Sequence, residues 1–131
     1  MEAMQKIKCL TIEDSNFPDR LRKLSGMPKK LYYIGNLPDP KKPAAAVVGA
    51  RMCSPYGRCQ AFKYARTMAS YGVQIISGMA RGIDAEGHKG ALDTDTPTFA
   101  GDSTITRYLA ILPLLLCIQS TYTTNYPPDI L

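Results

Sequence analysis

A short apolar stretch runs straight into a glycine and then into a helix-forming segment at two places in the chain: AAAVV followed by Gly49, and VQIIS followed by Gly78. AAAVV does not alternate apolar with polar residues, as a strand wetted on one face would, so it reads as a strand covered on both faces, as in a parallel sheet with helices packed on it. VQIIS is a second short β-rich run. The segment between them is predicted helical from about Gly57 to Tyr71. Ala61, Phe62, Ala65, Met68 and Ala69 recur there at helical spacing, Lys63, Arg66 and Ser70 fall between them, and Gly72 suits the C-terminal cap. The order strand, helix, strand requires a right-handed crossover, and the expected class is α/β.

The loop MARG after Gly78 leads to Asp84, which is placed to cap a second helix reaching about Leu92. Gly87 inside that helix costs roughly 1 kcal/mol relative to alanine, so it has a packing or ligand reason or else marks a weakness. Ahead of Ala44 the chain reads as an irregular lead-in, with a short helix over Asp19 to Leu24 and a strand over Lys30 to Ile34 before a turn at Gly35-Asn36. Pro38, Pro40 and Pro43 punctuate a linker. Beyond Thr98-Phe99-Ala100 the sequence GDSTITRYLAILPLLL carries little charge, and residues 101–131 contain no lysine. The expected division is a lead-in over 1–43, a partial binding domain over 44–100 and a divergent tail over 101–131 that is not native to the fold. The alternative for the tail is that Tyr108 to Ile118 forms a short helix or strand covering the open sheet edge.

With 131 residues, 45% of them hydrophobic, the chain has material for one core. The longest apolar run, Tyr108 to Ile118, is interrupted by Pro113 and falls short of the roughly 18 to 20 residues that span a bilayer, so no membrane segment is expected. Cys9, Cys53, Cys59 and Cys117 form no CxxC pair and follow no signal peptide, so neither a zinc site nor a disulfide framework is indicated, and reduced thiols in a cytoplasm are expected.

In a parallel sheet both glycine turns lie at the carboxyl edge, and if their strands are neighbours they converge on one crevice. Glycines let backbone amides approach phosphate oxygens, and helix starts add partial positive charge. Arg51, Arg58, Arg81 and Lys89 lie in or beside these turns, partly offset by Asp84 and Glu86. Sixteen Lys and Arg against eleven Asp and Glu give a net charge of +5, which favours a polyanionic partner. Neither GxGxxG nor GxxxxGK[ST] occurs. The single histidine, His88, has no nucleophile beside it in sequence and reads as a structural group or a peripheral phosphate contact. Binding is expected rather than catalysis, with no cofactor and no metal.

The segments VVGARMCSPYG and YGVQIISGMARGIDAEGHKGAL resemble the DNA-processing protein A family, also called Smf. Gly49-Ala50-Arg51 matches its GSR-like turn, Ser77 to Asp84 its SGxAxGID segment, and Gly87 to Leu92 its AHxGAL segment; Phe17 to Asn36 looks like its lead-in. The resemblance implies a Rossmann-like domain, here incomplete at its C-terminus, in a bacterial cytoplasmic protein. Such a protein holds single-stranded DNA during natural transformation and helps load RecA. By position Arg51 and Lys89 meet the phosphates, and the Gly78 to Gly82 backbone lines the pocket. The expected contact set is Gly49, Ala50, Arg51, Arg58, Ser77, Gly78, Arg81, Gly82, His88 and Lys89. Ala50 stands where the family has serine, and Gly87 where it has alanine. RecA contact and homodimer formation belong to family structure beyond Ala100. The competing reading is a free-nucleotide sensor or a relative of the LOG-type phosphoribohydrolases, whose PGGxGTxxE motif is absent.

Overall fold

The computed structural model describes residues 6–23, 25–26, 29–101 and 115–117. The lead-in forms β1 (Lys8–Thr11), α1 (Asp19–Arg22) and β2 (Lys30–Tyr33). β1 and β2 pair antiparallel with Leu10 opposite Leu31. That register joins Leu10 and Leu31 to Phe17, Leu21, Ile12 and Leu37 in a small apolar cluster. The lead-in is therefore more regular than its sequence suggests: β2 was expected, β1 was not.

The body of the chain is β3 (Ala44–Val48), α2 (Pro55–Ser70), β4 (Gln74–Ser77), α3 (Ile83–Leu92), β5 (Thr98–Ala100) and β6 (Leu115–Cys117). Its four strands lie in the order β5-β4-β3-β6, and every neighbouring pair is parallel. One face of the sheet, carrying Ala45, Val47 and Ile75, packs against Ala61, Ala65 and Ala69 of α2 and Ile83 and Ala91 of α3. Ala46 and Ile76 point to the opposite face by strand alternation, and they too are buried. Burial on both faces is the reason β3 is apolar throughout and β4 is apolar at Ile75 and Ile76. Small residues let the helices lie close to one another and to the sheet. A Cβ on Gly90 would run into the backbone of Phe62 and Arg66 on α2, and one on Gly87 would stand 2.8 Å from Val47 Cγ1. Packing, then, is the reason for Gly87.

α2 begins two residues before its expected start because Ser54 caps it, accepting from the Gly57 N–H at 3.1 Å, with Pro55 in the first turn. Gly72 follows its end at φ 82°, as expected. α3 corrects the sequence reading. Gly82 is its N-cap at φ 82°, no side chain caps it, and Asp84 lies inside the first turn. In the tail, the strand falls within the Tyr108 to Ile118 stretch for which a short helix or strand over the open sheet edge was the alternative to a segment foreign to the fold. Leu115–Cys117 is β6, paired with β3 through Ala46↔Leu115, Val47↔Leu116 and Val48↔Cys117. The rest of the Tyr108 to Ile118 stretch lies outside the described residues. Among the described residues no helix is long and apolar enough to cross a membrane.

The chain moves from β3 to β4 and β5 on one side and returns to β6 on the other. This Rossmann-like order makes the carboxyl end of β3, where Gly49-Ala50-Arg51 follows, a topological switch point.

Candidate nucleic-acid interface

β3 and β4 are adjacent, so their two carboxyl-end turns meet. The meeting is backbone to backbone. The Ile83 N–H donates to the Ala50 carbonyl at 3.2 Å, and a side chain on Gly82 would strike the carbonyl oxygens of Ala50 and Arg51. Gly49 is equally constrained, because an added Cβ would lie 2.8 to 2.9 Å from three carbons of Ile83. Gly57 faces Ile83 Cδ1 at 3.4 Å by the same measure, which brings the start of α2 against the start of α3.

Asp84 organises this junction. It is only 7% exposed, and its Oδ1 accepts the Gly49 N–H at 3.2 Å. The Gly78 N–H also donates to the carboxylate, and an added Cβ on Gly78 would sit 2.5 Å from Oδ2. Burial holds the Asp84 pKa above its ordinary 3.8, against the opposing pull of the Gly49 and Gly78 amides and of His88. One turn further along α3, His88 Nε2 donates to the Gly78 carbonyl at 2.8 Å, while Nδ1 pairs with Thr98 Oγ1 at 2.8 Å. Asp84 and His88, four residues apart on one helix face, thus hold both backbone polar groups of Gly78, its N–H and its carbonyl.

These bonds redistribute the expected contact set. The Gly49 and Gly78 amides, expected to face phosphate, already serve an internal carboxylate. Ser77 is fully buried and donates to the Val47 carbonyl, linking β4 to β3. His88 has both ring nitrogens engaged. Lys89 is exposed and paired with Glu86 at 2.9 Å, about 9 Å along α3 from Ile83. Gly82 shapes the loop through its positive φ. Ala50 is exposed at the turn, and so are Arg51, Arg58 and Arg81; among the described residues none of the three arginines is in an ion pair. Sequence reasoning missed the role of Asp84. Its signal was the Asp that ends the SGxAxGID segment, read there as a cap and as a partial offset to the basic charge.

The DNA recombination-mediator protein A family model matches residues 8–106. The chain belongs to that family. The Smf protein of Borreliella burgdorferi is 36% identical over 95 residues, which is 72% of this chain and 30% of that relative, so the chain spans under a third of its length. The X-ray structure of DNA processing protein A from Streptococcus pneumoniae superposes with a TM-score of 0.67 at 30% identity, covering 81% of this chain and 41% of that one. A Helicobacter pylori structure, described by its single-stranded DNA binding mode, superposes with a TM-score of 0.58 at 26% identity over 84% of this chain and 53% of that one.

Proposed function

We propose that this chain holds single-stranded DNA by its phosphates at the carboxyl edge of the sheet, as a binding module of DNA processing rather than an enzyme. The observation that carries the reading is the junction of the β3 and β4 turns, closely packed backbone to backbone and flanked by Arg51, Arg58 and Arg81, all exposed and, among the described residues, free of ion pairs. Guanidinium groups on a fixed frame suit phosphate oxygens, which they grip in pairs. The relative from H. pylori binds single-stranded DNA, which supports the same ligand here. RecA loading in natural transformation and homodimer formation extend the proposal. Both draw on family structure beyond residue 100. The cytoplasm is the compartment this reading requires.

Fluorescence anisotropy with a labelled oligonucleotide tests it. Binding should show little sequence preference, and log Kd should change with log salt by about 0.7 per phosphate contact. A mononucleotide should compete poorly. Binding indifferent to salt would count against the reading, and a mononucleotide that binds as well as the strand would favour the sensor.

A further inference from the structure

Polyanion binding explains the arginines but leaves an apolar surface beside them unexplained. Tyr56, in the first turn of α2, is 74% exposed, and among the described residues its ring and hydroxyl have no partner. It lies between Arg51 and Arg58 in the chain, on the turn that Ser54 caps and that abuts the start of α3 through Gly57 and Ile83. Met52, beside Arg51, is also exposed. A bare anion or a backbone phosphate has no use for an aromatic face. An unpaired strand does, because each phosphate carries a base whose π-face is open to solvent.

The geometry points to Tyr56 as a base-stacking platform: the strand is held by arginine on its phosphates and by the Tyr56 ring on a base. This rests on the proposed strand-binding reading and adds a second, non-ionic contact to it. Stacking is indifferent to base identity, since every base has a π-face, so the platform adds affinity without sequence readout. It also distinguishes a nucleic-acid strand from other polyanions, which offer charge alone.

The experiment compares the full chain with Tyr56→Ala, Tyr56→Phe and Tyr71→Ala. Tyr71 is an exposed tyrosine too, but it follows the far end of α2, about 22 Å along the helix from Tyr56. Each protein is titrated with an oligodeoxythymidine and with an abasic strand of equal length and charge. Tyr56→Ala should weaken binding to the thymidine strand about 5- to 100-fold and abolish the preference for it over the abasic strand, with the salt slope unchanged. Tyr56→Phe should bind as the parent does, and Tyr71→Ala should have no effect. Parent-like affinity and base preference in a folded Tyr56→Ala protein would overturn the platform while salt-dependent binding left the phosphate reading standing. Absence of salt-dependent strand binding by the parent chain would overturn both.

Discussion

Arg51 is where charge and backbone geometry coincide. Its carbonyl packs against Gly82, and its side chain is exposed and, among the described residues, in no ion pair, so the backbone that carries the guanidinium is fixed at the turn. Arg51→Ala should weaken strand binding by roughly 1.5 to 3 kcal/mol, the range for hydrogen bonds to charged groups, and should do so for every sequence. Lys89→Ala should cost less, because Glu86 already holds that ammonium. Isothermal titration of the two variants against one oligonucleotide checks the ranking. Asp84 gives a prediction about pH. Burial raises its folded pKa above the ordinary 3.8, so the native state binds a proton more readily than the unfolded chain does. Stability contributed by that proton is present below about pH 4 and is lost as pH rises through the folded value. Asp14 runs the other way, its pKa lowered by the Thr11 amide and hydroxyl, so its contribution is present above 3.8 and lost as pH falls through the lowered value. Comparison with Asp84→Asn cancels Asp14. The stability of the parent relative to Asp84→Asn, from urea unfolding, should fall as pH climbs from about 4 and then level off; a difference that stays flat would remove the buried carboxylate from the account.

Elements differ in how much of them the sequence reveals. β3 is legible because a strand buried on both faces leaves a continuous apolar run, β4 because its β-branched pair Ile75-Ile76 runs up to a glycine, and α2 because Ala61, Ala65 and Ala69 fall on one stripe. β1 is not legible: Lys8–Thr11 is short, with its first two residues exposed and none buried, and only its register with β2 gives Leu10 a partner. The start of α3 misled for another reason. An aspartate before an apolar run normally caps, but the positive φ of Gly82 starts the helix earlier and frees Asp84 to serve Gly49 and Gly78. Arg58 and Arg81 were legible as charge, whereas the burial of Ser77 and the saturation of His88 depend on contacts between elements, which one-dimensional spacing does not carry. The glycines of α3 give a test at this scale. Gly90→Ala would push a methyl into the backbone of α2, which cannot yield without moving the helix, so a loss of roughly 1 to 3 kcal/mol is expected. Gly87→Ala would press on Cβ and Cγ1 of Val47 in β3 rather than on helix backbone, and it gains up to about 1 kcal/mol of helix propensity against that contact, so its net loss should be smaller. Thermal unfolding should rank parent and Gly87→Ala above Gly90→Ala.

At the scale of the molecule, the position of β6 matters most. Without it β3 would be an open edge, and β3 is the strand whose end carries Arg51. A bare edge exposes unpaired N–H and C=O groups and invites pairing with other chains. By lying parallel to β3, Leu115–Cys117 moves the edge outward and makes the end of β3 a switch point between two pairs of strands, where a ligand can enter between diverging connections. A tail foreign to the fold would have no reason to supply a strand in that register, yet the LLC segment has the unalternating apolar pattern that such a place requires. We propose on this ground that the fold of this chain runs past residue 100 and includes β6, with the divergent tail counted from beyond it. Leu116→Pro tests the proposal, since proline removes a ladder donor and fits poorly inside a paired strand. If β6 is integral, the variant should melt several degrees lower, scatter more light on warming, and lose hydrogen-exchange protection at the Ala46 to Val48 amides, while α2 and α3 keep theirs. If those amides exchange alike in parent and variant, β6 contributes nothing to the sheet and the boundary returns to residue 100.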